Sequence, residues 1–435
     1  MKLIKLSFIV AVAIMAIIGI TTTSYAFHSG GVASCESCHT MHNSLEGKAM
    51  AGTGNTTPTG VGNPAGSKVF LLRGSDQSST CLNCHEGPTL SSYHVSTPLA
   101  SFVNSAPVNR GPGGDFGWLK IATTTSTATT SAVQRHGHNI IAADFNYVVD
   151  PQNATAPGGT FDATKLSCIS CHNPHNQLRI TGDDATVMVK PAIGSAVGAI
   201  AGSASAVTAA TLPTVAAPKG PYRFLRGAGA DQAPKSNPYV FAANPPVAVS
   251  PSSYNRSESA TDTHIAYGSG MSAWCGNCHS AMNDSAGDIA TGNAGHPHPV
   301  NKVLGADIMA NYNAYKGSGD LTGALGYTSL VPVEMGSTSL TLLANAAAVT
   351  GRGATYAAID ANAKVMCLSC HRAHATGFPS MTRFYIGGQT TDSAGNYALQ
   401  SGQVLAQAQA AYYERPSNDF TVNTKNLCNK CHAKD

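Results

Sequence analysis

The chain has 435 residues, 26 Lys and Arg against 23 Asp and Glu, a net charge of +3, and only 11% charged residues. So even a balance offers no basic stripe for phosphate and argues against a nucleic-acid partner. With 44 glycines and 23 prolines it reads as irregular loops with short helices and very little strand.

Met1 to Ala26 reads as a secretory signal. Lys2 and Lys5 give the positive start, Leu6 to Ile20 is nearly all apolar, and Ser24-Tyr25-Ala26 fits small-residue cleavage. The apolar run falls short of the roughly 20 residues that span a bilayer. Residues 27–435 are then expected as one mature domain, and no later stretch is apolar for long enough to be a transmembrane segment.

Along that domain six Cys-x-x-Cys-His signatures consume all twelve cysteines: Cys35/Cys38/His39, Cys81/Cys84/His85, Cys168/Cys171/His172, Cys275/Cys278/His279, Cys367/Cys370/His371 and Cys428/Cys431/His432. Two thiols three residues apart share one face of a helical turn and can each form a thioether to a porphyrin vinyl, while the next histidine reaches the iron. Disulfides, redox pairs and zinc sites leave the residue after the second cysteine unspecified. Chance would put histidine after all six pairs with odds on the order of one in a billion. Six covalent haem c groups are expected, and the polypeptide should wrap around their chain. Each ferric haem with ionised propionates adds about −1, so the mature protein becomes acidic overall, and arginines near the haems read as propionate partners.

Sixteen histidines less six proximal ones leave ten. The surplus over irons points to bis-histidine coordination, the closed arrangement that suits electron transfer, although methionines such as Met41 and Met366 are also available. His42, His175 and His374 each stand three residues beyond a proximal histidine. None can reach the far face of its own iron, so each is expected on a neighbouring haem. His94, His138 and His298 read as distal ligands on intervening loops. His296 competes with His298, His28 is a further alternate, and His136 and His264 read as surface or supporting residues.

Regular helices are expected at 304–316 and 400–414, and the Ala/Ser/Gly/Thr-rich stretch 193–218 reads as a poorly packed surface excursion. Phe70-Leu71-Leu72-Arg73-Gly74 echoes Phe224-Leu225-Arg226-Gly227, each followed shortly by Asp-Gln. The echo fits a repeated propionate-binding loop, and it fits chance.

Together the residues resemble the OmcS-type hexahaem outer-surface cytochromes of metal-reducing bacteria. The likeness is carried by Phe27-His28-Ser29-Gly30-Gly31 leading to His42, by Pro112-Gly113-Gly114-Asp115-Phe116-Gly117-Trp118, and by Gly137-His138-Asn139-Ile140. It continues in Tyr267-Gly268 through Trp274, Ser318 through Gly323, His374 with Met381-Thr382-Arg383-Phe384, and Leu427 to Asp435. Stretch 182–218 departs from the family. The resemblance implies a homopolymeric extracellular filament in which haems form one continuous chain, alternately near-parallel and near-perpendicular. It implies that upstream cytochromes feed the filament and that it delivers electrons to extracellular acceptors such as metal oxides or partner cells. It also implies that His42 ligates the haem of Cys367, Cys370 and His371 in the adjacent subunit. A monomeric periplasmic shuttle and a nitrite- or hydroxylamine-type multihaem reductase are the alternatives; a non-enzymatic conduit is the expectation.

Overall fold

At the attachment signatures helices form because the spacing demands a turn, and most of these are no longer than that demand. The computed structural model describes residues 35–39, 44–45, 48–49, 71–89, 93–121, 136–184, 188–189, 198, 200, 202–204, 207–228, 240–250, 258, 264–282, 300–323, 330–348 and 361–432. Single helical turns occupy Cys35–Cys38, Cys168–Cys171 and Cys367–Cys370, and Met271–Cys275 is barely longer. Gln77–His85 extends to two turns because Asp76, extended at the N-cap, accepts the Ser79 amide at 2.8 Å. The last signature closes in a 3-10 turn, Leu427–Lys430.

Strand is confined to antiparallel two-residue pairs among the described residues. Arg179–Ile180 pairs with Met188–Val189, Ala248–Val249 with Ala266–Tyr267, and Ser44–Leu45 with Lys48–Ala49. The expected loop-dominated fold is what the chain adopts.

Both expected helices are present and shorter than read, Gly305–Ala314 and Leu405–Ala411. A further helix, Leu340–Ala348, was readable from Leu340, Leu343, Ala344 and Ala347 at one-face spacing, all of them buried. That face packs with Val247, Val249, Ala266 and Ile180 into one apolar cluster. The same cluster corrects part of the reading of 193–218 as a surface excursion: Thr208, Ala210, Thr211 and residues 214–217 are exposed, but the stretch also sends residues into the core. Ala204 and Val207 are buried in it with Leu212 against it, because small side chains let two backbones approach closely. A larger cluster gathers Leu82, Phe116, Trp118, Tyr312, Phe378 and Tyr412, and Tyr412 stacks on Tyr397 at 4.0 Å. The third holds Tyr222, Leu225, Tyr267, Met271 and Met366 beside Trp274 and Cys275. Met366 is thus a packing residue. The signal segment, His28, His42, His296 and His298 lie outside the described residues.

Candidate haem sites

Each attachment turn is closed by its own backbone. The amide of the proximal histidine donates to the carbonyl of the first cysteine: His39 to Cys35 at 2.8 Å, His172 to Cys168 at 2.9 Å, and His279 to Cys275, His371 to Cys367 and His432 to Cys428 at 3.0 Å. This hydrogen bond holds both sulfurs on one face with the imidazole beyond them. None of the twelve cysteines is joined to another in a disulfide. Burial pushes the Cys171 thiol up to about 11 and that of Cys370 to about 12. Among the described residues no cluster of three or more His, Cys, Asp or Glu side chains could hold a bare metal ion.

The proximal imidazoles are oriented through Nδ1. His85 donates to the Tyr93 carbonyl at 2.8 Å, His172 to Arg223 at 2.7 Å, His279 to Pro157 at 2.8 Å and His371 to Ser380 at 2.8 Å. A carbonyl can only accept, so Nδ1 carries the proton and Nε2 is the nitrogen left to bind iron. His138 shows the same pattern toward the Ala373 carbonyl at 2.6 Å. Burial, reinforced by His279, holds His138 down to about 4, and burial with His172 and His138 nearby takes His374 to about 3. Both stay neutral, the form that ligates.

Three of the expected distal histidines face proximal ones. Ring centroids are 6.0 Å apart for His39 and His175, 6.1 Å for His279 and His138, and 6.4 Å for His172 and His374. An imidazole centroid lies about 1.1 Å from its nitrogen and a metal–imidazole bond is about 2.0 Å, so two imidazoles on opposite faces of one iron have centroids about 6.2 Å apart. The residues present therefore fit bis-histidine haem at the first, third and fourth signatures. His94 is buried over Gly87, with Nδ1 on the Thr89 carbonyl at 3.1 Å. His136 and His264, read from sequence as surface or supporting residues, are both buried, and His136 Nδ1 donates to the Thr376 carbonyl at 2.9 Å.

Successive sites touch in sequence order. Cys38 lies near enough to Cys84 to interact electrostatically, as Cys171 does with Cys278 and Cys370 with Cys428. Between these contacts Cys81 lies against Cys168, and Cys275 against Cys367. The last two junctions are built alike. The Cys168 amide donates to Ser78 Oγ at 3.1 Å, and the Cys367 amide donates to Ser272 Oγ at 3.2 Å. In both, the serine stands three residues before the first cysteine of its own signature.

A buried cationic cluster completes the setting. Glu258 accepts from Arg372 at 2.8 Å and Arg383 at 3.1 Å. Burial alone would push its carboxyl up, but Arg383, Arg372 and Arg415 outweigh that and hold it below the usual range. Arg372 lies 3.8 Å over the Tyr413 ring, and its Nε and Nη2 are buried without a protein acceptor. Guanidiniums in excess over carboxylates suit the propionates of a haem.

Paired thiols on one turn, followed by an imidazole that another imidazole faces across the width of one iron, define a multihaem c-type cytochrome. No family model matches the chain. It is 43% identical to C-type cytochrome OmcS of Geobacter sulfurreducens, over 98% of each chain. Its fold matches the OmcS nanowires of that organism, solved by cryo-EM, with a TM-score of 0.75 and 43% identity, covering 94% of this chain and 100% of the other. A second structure, the Outer Membrane Cytochrome S filament of the same organism, matches at a TM-score of 0.76 and 42% identity with the same coverage. The chain belongs to the OmcS family of c-type cytochromes.

Proposed function

We propose that this protein is an extracellular electron conduit. Six bis-histidine haem c groups per subunit carry electrons one at a time, and subunits polymerise so that the haem chain continues from copy to copy. The haem supplies the one-electron iron couple. The polypeptide fixes spacing, closes both iron faces and excludes exchangeable ligands. Among the described residues no helix is long and apolar enough to cross a membrane, which suits a secreted, cell-surface filament.

The carrying observation is a ladder. The histidine three residues beyond the third signature, His175, faces the first proximal histidine, and the one beyond the fifth, His374, faces the third. Each odd-numbered signature thus supplies the ligand for the haem two signatures earlier. His42 stands in the same position after the first of the six signatures in this sequence, and likeness to the OmcS family carries it to a neighbouring copy. Its iron is that of His371 in an adjacent subunit. Assembly and completion of the fifth haem are then one event.

His138 comes from the loop before the third signature and faces the fourth proximal histidine. The loop before the fifth signature carries His296 and His298 for the sixth iron, His298 being the assigned ligand. For the second iron the choice lies between His94 and His28; the ligand is the one whose replacement by alanine turns that haem high-spin. Upstream cytochromes feed the filament, and metal oxides or partner cells drain it.

The test is His42→Ala in the full exported chain. Six attached haems, one of them high-spin, and discrete particles in place of filaments are expected. Normal filaments from that variant would sink the inter-subunit ligand. Discrete wild-type particles with six internally ligated haems would favour a periplasmic shuttle, and an iron that exchanges ligand in the wild type would favour a reductase.

A further inference from the structure

The odd-numbered attachment turns are gripped by a second loop that recurs with them. At the third signature, Arg223 and Phe224 take left-handed backbone angles, φ 51° and 53°. The following Leu225 then bridges to His172, and the Arg226 amide donates to the Cys171 carbonyl at 2.9 Å. The Arg226 side chain reaches back into the turn, where Nε donates to the Ile169 carbonyl at 2.8 Å. That grip leaves the Arg223 carbonyl facing His172 Nδ1 at 2.7 Å.

At the fifth signature the loop is built again from different residues. Ser380 and Met381 are left-handed at φ 57° and 60°, and Thr382 bridges to His371. The Arg383 amide donates to Cys370 at 2.8 Å and its Nε to Leu368 at 2.6 Å. Here the Ser380 carbonyl accepts His371 Nδ1–H at 2.8 Å. At the first signature Leu71 is left-handed at φ 50°, Leu72 bridges to His39, and the Arg73 amide donates to Cys38 at 2.9 Å. The even-numbered sites described are different: His85 uses the Tyr93 carbonyl and His279 that of Pro157.

Consecutive left-handed residues other than glycine are costly and persist only where surrounding bonds over-determine them. Here they turn a carbonyl toward an imidazole, and the arginine supplies the bonds that hold the turn. We infer that Arg226 and Arg383 are positioning residues, which fix the proximal imidazoles of the third and fifth haems and thereby set those irons apart electronically. The inference rests on the reading of six bis-histidine haems. A strong Nδ1–H···O bond makes the imidazole more basic and favours ferric iron, so loosening the clasp raises the potential of that one haem.

The experiment compares Arg226→Gln with Arg226→Lys in the full exported protein. Glutamine places its amide nitrogen where the guanidinium Nε stood and drops the charge. Lysine keeps the charge and puts its donor one bond farther out. Both are read by haem content, the low-spin ferric signals in electron paramagnetic resonance, and spectroelectrochemistry. Expected are six haems throughout, one displaced low-spin signal and one potential shifted upward in the lysine variant, and near wild-type values in the glutamine variant. The reverse pattern, with lysine silent and glutamine shifted, would mean that charge alone matters and would overturn the inference. So would six unshifted signals in both. If Arg226→Lys attaches fewer haems, the same pair of changes at Arg383 decides, and loss of haem there too would make the arginines scaffold only. Fewer than six low-spin haems in the wild type would instead fail the underlying reading.

Discussion

His374 faces His172 with ring centroids 6.4 Å apart, although His374 belongs to the fifth attachment signature and His172 to the third. The ring of His374 is fixed from behind by Phe116, stacked on it at 4.7 Å, and its amide donates to the Gly113 carbonyl at 2.7 Å. His374→Ala should therefore leave attachment of the fifth haem intact and open one face of the third. A single high-spin ferric signal that cyanide abolishes, with six haems still attached, is the expected result. An unchanged low-spin spectrum would remove His374 from the iron.

The ligands of the third and fourth haems are tied to each other. The His138 amide donates to the His374 carbonyl at 2.9 Å, its Nδ1 to Ala373, and Gly137 bridges to Ala375. A Cβ at Gly137 would stand 2.5 Å from both the His374 carbonyl oxygen and the Ala375 methyl. Gly137→Ala must then part the two loops and should perturb two low-spin signals together. Perturbation of one haem alone would show that the loops move independently.

The chemistry of the sites was legible in the sequence because covalent attachment forces a fixed local spacing, and a turn of helix follows from it wherever it occurs. Cys168, Cys171 and His172 need no tertiary information to be read. The pairing of His175 with His39 and of His374 with His172 was legible only as far as "a neighbouring haem", since the partner is set by how separate loops pack. The arginine clasp was half visible as the echo of 70–74 in 224–227. Its third copy keeps only Arg383, and the arginines stand at positions 73, 226 and 383 behind histidines 39, 172 and 371, so no constant period reveals them. The amide half of the clasp is backbone and leaves side-chain identity free, and only the Nε bonds of Arg226 and Arg383 depend on the side chain. Ala204 and Val207 were misread because small residues suit an exposed loop and a tightly packed core equally well in composition.

Glu258 is the lone carboxylate among Arg372, Arg383 and Arg415 in the described cluster, and it is essentially inaccessible to solvent. Its replacement leaves like charges facing one another in a dry setting. Removing one partner of a buried ion pair costs roughly 3–5 kcal/mol. Glu258→Gln should lower the denaturation midpoint accordingly, read by loss of tyrosine packing fluorescence or by calorimetry. A variant as stable as the parent would mean that the haem propionates alone balance the arginines.

Glu334 predicts a pH dependence of opposite sense to that of most carboxylates. Burial pushes its carboxyl from 4.5 up to about 7, against the opposing pull of the Met271 amide, Lys364 and the Gly270 amide. The Met271 amide donates to Oε2 at 3.2 Å, while Oε1 is buried without an acceptor or donor partner. The native state thus keeps a proton that the unfolded chain has released between pH 4.5 and 7. Its contribution is fully present below the lower value and is lost as pH rises through the upper one, a fall of about 3 kcal/mol. Glu334→Gln mimics the protonated acid. Across that window the stability of the wild type relative to the glutamine variant should decline, and above pH 7 the variant should be the more stable of the two. Parallel pH profiles from denaturant titrations would show that Glu334 is ionised in the folded protein.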